Sequence, residues 1–329
     1  MALVRERRQL NLRLPLPPAT ARRPSFPLPP PPAAATTTTS TAGTTASFAA
    51  KFSLSDFTNL AVIGAGAGGT VHKVVHKKTG VVYALKTVTS AATDTTTRRQ
   101  IHREKEILRR VAGDSPFVVK CFGIFEKVDG DLGILMEYMD RGTLDSAVQS
   151  QGTFSENLLS NVAGQILEGL KYLHSCKIVH RDIKPANLLV KSGPTGWEVK
   201  IADFGVGRIM GRTLDPCNSY VGTCAYMSPE RFDPDTYGGN YNGYAGDIWS
   251  LGLTLMELYL GYFPFLGPGE RPDWATLMCA ICFGDPPSLP AGRGSKEFRS
   301  FVSCCLQKEA SKRWTAAQLL SHPFICKKK

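Results

Sequence analysis

The 329-residue sequence predicts an α+β protein in two lobes, a small antiparallel β-sheet lobe followed by a larger, mainly helical one. Three observations predict it. Residues 57–139 carry short β-branched and aromatic runs separated by glycine turns, with a single charged helical stretch among them. From residue 143 onward the apolar spacing is mostly helical, broken by loops dense in His, Asp, Asn and Gly. Ahead of both, the first 50 or so residues are rich in Pro, Thr and Ala and hold few large apolar side chains after Phe26. Such a segment cannot bury enough surface to offset its ordering entropy, so it reads as disordered. The expected boundaries are a tail over 1–56, a domain over 57–325 with lobes at 57–139 and 140–325, and a basic tail over 326–329.

The elements follow in order. NLAVIG (59–64) and TVHKVVH (70–76) read as strands, and a KKTG turn leads into a third, VVYALKTV (81–88). TRRQIHREKEILRRVA (97–112) is helical, and KCFGIFEK (120–127) and GILMEYM (133–139) return to strand. The cleft between the lobes falls near residues 136–142. One stretch, IWSLGLTLMELYLGYFPF (248–265), has the texture of a membrane span. It is short for one, and Glu257 and Pro264 interrupt it, so it reads as a buried core helix. No internal repeat is present.

Composition narrows the function classes. The net charge is +11, of which +5 lies in the first 50 residues as six arginines against the single acid Glu6. The rest is spread thinly, without a compact basic stripe interleaved with aromatics, which argues against a nucleic-acid partner. The nine cysteines are irregularly spaced. Cys279 and Cys282 form a CxxC, but no second pair or neighbouring histidines complete a zinc site. The cysteines read as reduced thiols of an intracellular protein. The N-terminus lacks the continuous apolar core of a secretory signal, and no membrane partner is expected.

The chemistry-bearing residues begin at Gly64, Gly66, Gly69 and Val71, which satisfy GxGxxGxV. Dinucleotide-binding folds share GxGxxG, but there a helix follows the glycines; here the next residues alternate as a strand. Strand, glycines, strand makes a flap that brings backbone NH groups close to phosphates. Lys86 ends the third strand, and Glu104 on the following helix can pin its ammonium against the α- and β-phosphates of ATP. Glu104 shares a helical face with Ile107 and Leu108, whereas Glu106 points elsewhere. VHRDIKPANLLV (179–190) and then DFG (203–205) complete the set. Phosphoryl transfer needs positioned charge more than covalent chemistry. Asp182 can accept or orient the incoming hydroxyl proton, and Lys184 can neutralise the transferring group. Asn187 and Asp203 can hold Mg2+. His180 reads as a packing and hydrogen-bonding hub rather than the base.

These motifs, with MSPE at Glu230, DIWSLG at Asp247 and the late Arg313, resemble the eukaryotic protein kinases over residues 57 to about 325. The resemblance implies that Glu137 to Met139 form the adenine hinge with Met136 behind the purine. It implies that Ile63, Val71 and Ala84 join them around the base, and that Glu230 pairs with Arg313. DIKPAN, with Lys184, resembles the Ser/Thr-type kinases. Between DFG and MSPE, Thr213 and Ser219 are separated by five residues in a loop ending NSYVGTCAYMSPERF. That loop resembles the plant mitogen-activated protein kinase kinases, in the short form without an extra C-terminal domain, from the ethylene- and stress-linked branch. The resemblance implies activation by an upstream MAP kinase kinase kinase at Thr213 and Ser219, with Arg181 able to pair with the phosphorylated loop. It implies dual specificity toward the Thr and Tyr of a downstream MAP kinase. Thr223 reads as a substrate-site residue and Cys217 as an incidental thiol.

The first line of the sequence joins this reading. Arg5, Arg7 and Arg8 precede leucines at alternate positions, Leu10, Leu12, Leu14 and Leu16, among Pro15, Pro17 and Pro18. MAP kinase activators carry a basic cluster followed by two apolar residues one apart, so these residues resemble a docking peptide. The Pro/Thr tract would then be its tether. An Arg-rich, almost acid-free head also describes an organelle transit peptide. The expected location is the cytoplasm, with the nucleus also open, or a plastid if the head is a transit signal. Two other functional readings stand beside the MAP kinase kinase: a Ser/Thr kinase of another cascade tier, and a catalytically dead scaffold.

Overall fold

The computed structural model describes residues 52–66, 69–88, 95–111, 115–126, 131–194, 196–204, 208–209, 224–233, 242–267 and 273–326. The docking peptide at 5–16 and the loop residues Thr213, Cys217, Ser219 and Thr223 lie outside these residues.

The first lobe is a five-stranded antiparallel sheet built from β1 (Phe57–Gly66), β2 (Gly69–His76), β3 (Val82–Val88), β4 (Cys121–Glu126) and β5 (Leu132–Glu137). Its order is β1-β2-β3-β5-β4. Alternation on β3 puts Ala84, Lys86 and Val88 on one buried face. Val71 pairs with Lys86, and Ala84 pairs with Met136, so flap, lysine and hinge share one register. Helix α1 (Thr95–Arg110) follows β3. Glu104, Ile107 and Leu108 are buried together, whereas Glu106 faces Arg110 at the surface, as the spacing predicts.

The second lobe is helical with short strands set into its front. Its helices are α2 (Leu144–Gln151), α3 (Glu156–Ser175), α4 (Pro229–Phe232), α5 (Gly243–Leu260), α6 (Trp274–Met278), α7 (Lys296–Cys305) and α8 (Ala316–Leu320). The strands are β6 (Ile178–Val179), β7 (Leu188–Gly193), β8 (Gly196–Ile201) and β9 (Arg208–Ile209), paired as two small antiparallel ribbons. Leu159, Val162, Ala163, Ile166, Leu167, Leu170 and Leu173 form the buried stripe of α3 at three- and four-residue spacing. Helix α5 is buried on nearly every side, which makes it the core helix that the 248–265 stretch predicts. It stops at Leu260, earlier than the apolar run, because Gly261 takes a left-handed φ of 83° and returns its N–H to Glu257. No helix among the described residues is long and apolar enough to cross a membrane.

A single apolar cluster joins the lobes, running from Ile107 and Leu108 of α1 through Phe204 to Leu167 of α3 and Trp249 of α5. Phe204 is 1% exposed, so the segment leading to Asp203 is anchored from below.

Candidate active site

The cleft between the lobes encloses about 440 Å³. Ile63, Gly64, Gly66, Gly69, Val71 and Ala84 form its roof, Met136 to Met139 its back wall, and Leu189 its floor. Lys86, Glu104, Asn187 and Asp203 line its polar end. Each of the nucleotide- and metal-site residues expected from the sequence therefore lines this cavity, whereas Asp182 and Lys184 do not. Gly69 shows why the flap needs glycine: its φ is +110°, and an added Cβ would lie 2.2 Å from the Thr87 carbonyl oxygen.

Lys86 Nζ donates to Glu104 Oε1 at 2.7 Å and to Asp203 Oδ1 at 3.2 Å. Burial works against the ammonium, but Asp203 and Glu104 outweigh it and hold the Lys86 pKa above its ordinary value. The cleft thus holds a lysine charged at any physiological pH, with Glu104 on α1 fixing its direction. Asp203 sits at a left-handed φ of 65°, which a non-glycine residue adopts at a cost of roughly 1–2 kcal/mol. Its side chain is 45% exposed, against 9% for Lys86, and it faces the open end of the cleft.

The loop between β6 and β7 carries the rest. Asp182 accepts from Asn187 Nδ2 at 2.8 Å and from Lys184 Nζ at 2.9 Å, both on Oδ2. Its Oδ1 is buried and has no partner. One oxygen is thereby held and the other is left as a base, which suits acceptance of a proton from an incoming hydroxyl. Asn187 spends its amide nitrogen on Asp182, through the carbonyl at 2.9 Å as well as the carboxylate, and so offers Oδ1 to a ligand. A 3₁₀ turn at Pro185–Asn187 sets this spacing, with proline at its first position.

His180 is fully buried and behaves as the expected hub. Its Nδ1 accepts from the Asp182 N–H at 3.3 Å, its Nε2 donates to the Ala202 carbonyl at 3.0 Å, and its ring meets Phe204 edge-on. What the sequence left unassigned is the clamp beneath. Asp247 of α5, wholly buried, accepts from His180 N–H at 2.9 Å, Arg181 N–H at 2.7 Å and His174 Nε2 at 2.9 Å. Burial opposes its charge, yet the His174 bond and the backbone donors hold its pKa below the ordinary carboxylate value. Arg181 takes a left-handed φ of 70°, and Arg231 of α4 donates to its carbonyl. The Asp247 signal lay in DIWSLG, but only the fold shows which amides it meets. Tyr138 lines the cleft inside the expected hinge, and Leu189 and Ala202 also line it without having been singled out in the sequence.

The donor set fits Mg2+. Asn187 and Asp203 offer hard oxygen ligands, and among the described residues no group of three or more His, Cys, Asp or Glu forms an all-protein cage. Mg2+ is ordinarily held by one or two protein oxygens together with nucleotide phosphates. A second cavity of about 450 Å³, between α3 and Leu320 to Ile325, carries one carboxylate, Glu168, and no cation, so it lacks the means to bind phosphates.

Comparison with known proteins agrees with this geometry. Residues 57–325 match the family described as protein kinase domain. The chain is 60% identical to mitogen-activated protein kinase kinase 9 of Arabidopsis thaliana over 99% of both chains. It is 56% identical to mitogen-activated protein kinase kinase 7 of the same plant, again over 99% of both. Mitogen-activated protein kinase kinase 1c of Physcomitrium patens is 40% identical over 84% of this chain and 78% of its own.

Proposed function

Because the chain belongs to the protein kinases and, within them, to the dual-specificity mitogen-activated protein kinase kinases, we propose that it phosphorylates the Thr and Tyr of a MAP kinase activation loop. The observation that carries this reading is the cleft in which Lys86, paired to Glu104, meets Asp203, while Asn187 joins the cleft lining to an Asp182 with one free buried oxygen. Lys86 holds the α- and β-phosphates of ATP, and the hinge of residues 137–139 meets the adenine. Asp182 Oδ1 takes the proton from the substrate hydroxyl, while Lys184 stands beside it to balance the charge of the transferring group. Asn187 and Asp203 would hold Mg2+, which when bound would supply neutralisation of the phosphate charge.

Phosphorylation of Thr213 and Ser219 by an upstream MAP kinase kinase kinase switches the enzyme on, and Arg181, next to Asp182 in the sequence, reads the added charge. Arg5, Arg7 and Arg8 meet acidic residues of the MAP kinase, and Leu10, Leu12 and Leu14 drop alternate side chains into its groove. These steps belong to the cytoplasm and the nucleus. The test is labelling of a panel of inactive MAP kinases by the full chain with Thr213 and Ser219 both made acidic, read separately at Thr and Tyr. Label on both residues is expected, lost with Lys86→Met. Label unchanged by Lys86→Met, or confined to one residue type, would sink the reading.

A further inference from the structure

The back of the hinge holds a buried charge pair that none of the phosphate chemistry uses. Glu137 ends β5, and its carboxylate turns away from the purine wall. It accepts from Lys200 Nζ at 2.7 and 2.8 Å and from the Lys120 N–H at 2.7 Å, while the Glu137 N–H returns to the Lys120 carbonyl at 3.0 Å. Both charged side chains are only 14% exposed.

The three participants come from different parts of the fold. Glu137 belongs to the first lobe's sheet, Lys200 to β8 of the second, and Lys120 to the segment between α1 and β4. That segment is itself laced to β8, with Val119 N–H on the Ile201 carbonyl and Ile201 N–H on the Phe117 carbonyl, both at 2.9 Å. Lys200 is paired across β7–β8 with Leu189, the floor of the cleft. The Glu137 carboxylate is thus the node where the hinge, the α1–β4 segment and the cleft floor meet.

We propose that Lys200 is a positioning residue for the nucleotide. By gripping Glu137 from behind, it fixes the backbone of residues 137–139 relative to Leu189 and so sets nucleotide affinity, although Lys200 itself does not line the cleft. Without Lys200, a largely buried carboxylate loses its counter-charge, and the hinge must rearrange to hydrate it. The cost falls on binding because the atoms displaced are those that meet the adenine, whereas Asp182, Lys184 and Lys86 keep all their partners. The inference rests on the cleft being the nucleotide site.

Full-length Lys200→Met is tested for ADP binding and for ATP kinetics on a generic protein substrate, alongside Lys200→Arg, Glu137→Gln and the Glu137→Gln/Lys200→Met pair. Lys200→Met should raise the ATP KM and the ADP Kd about tenfold while kcat stays within about twofold, the size expected of coupling through one contact. Lys200→Arg should recover most of the affinity, and the double variant should be no worse than Lys200→Met alone. Unchanged nucleotide affinity, a fall in kcat at constant KM, or additive losses in the double variant would each overturn the proposal. If thermal melting shows Lys200→Met unfolded, Glu137→Gln carries the same comparison, and wild-type affinity there would overturn it. A wild-type chain that binds no ADP would overturn the kinase reading and this inference with it; wild-type binding with an indifferent Lys200 would overturn the inference alone.

Discussion

Asp247 shows how one residue far from the reacting atoms holds the active loop. Three donors converge on a carboxylate with no solvent contact: two consecutive backbone amides and the His174 ring. Replacing it with asparagine keeps the shape but puts an NH2 where an acceptor is required, leaving a buried amide unpaired. Asp247→Asn should cost about 3 kcal/mol at neutral pH, since hydrogen bonds to a charged group are the stronger kind. The pH dependence has a definite sign. The folded pKa of Asp247 lies below its unfolded value, so its contribution is fully present above the unfolded carboxylate pKa of about 3.9. It is lost only as pH falls through the lower folded value. Urea unfolding of both proteins should therefore give a stability gap that is present at pH 5 and narrows below about pH 4. A gap that narrows on the alkaline side would contradict this assignment.

At the scale of elements, the flap is a case where backbone space is the constraint. Gly69 opens β2 at a φ of +110° with the Thr87 carbonyl of β3 in the place of a Cβ, whereas a Cβ at Gly66 would meet nothing within 4 Å. Gly69→Ala must push β2 off β3 or flatten its φ, and either displaces the roof above the phosphates. The expected result is an ATP KM raised by at least about tenfold, because small misplacements at a reacting site carry large penalties. Gly66→Ala should lose less, and the ratio of the two KM values is the measurement that checks it. A larger loss at Gly66 would place the steric demand elsewhere. Elements were also where the sequence was most readable. The E-x-x-I-L spacing of α1 is a local pattern, and it placed Glu104, Ile107 and Leu108 on the face where they are found, whereas Ala84 was implied by the family resemblance alone. Motif spacing likewise brought Asn187 and Asp203 to one cleft, with Asp182 bonded to Asn187 just behind its lining. The second lobe's short strands were harder to see, because β6 and β9 are two residues each and owe their form to each other rather than to periodicity. Leu189 and the back-of-hinge partners Lys120 and Lys200 were not legible, since their roles depend on which strand lies opposite. Thr213, Ser219 and the arginine-leucine head remain readings of sequence.

For the molecule as a whole, the second lobe depends on one guanidinium. Arg313 has a fully buried side chain, and all five of its N–H donors find acceptors. Nε donates to the Gln307 carbonyl at 2.7 Å; Nη1 to Glu230 Oε1 at 2.7 Å and the Ala245 carbonyl at 3.2 Å; Nη2 to Glu230 Oε2 at 2.7 Å and the Lys308 carbonyl at 3.0 Å. The guanidinium also lies 5.0 Å from the Trp249 ring centroid, within reach of a cation–π contact. This one fork ties α4, which carries Glu230 and Arg231, to the start of α5 and to the turn after α7. Because Arg231 supports the Arg181 carbonyl and α5 carries Asp247, both braces of the active loop lead back to the Arg313 cluster. A lysine keeps the charge but has three donors and no fork, so it cannot serve both Glu230 oxygens and the three carbonyls. Arg313→Lys should destabilise the protein by at least about 2 kcal/mol, toward the 3–5 kcal/mol seen when a buried pair is broken outright. Urea unfolding monitored by tryptophan fluorescence reads that loss. The ATP KM of the folded fraction should stay near wild type, because Lys86, the hinge and the flap lie in the other lobe. A KM that rises in step with the destabilisation would instead mean that the Arg313 cluster and the nucleotide cleft are coupled, and the division of labour drawn between them would fail.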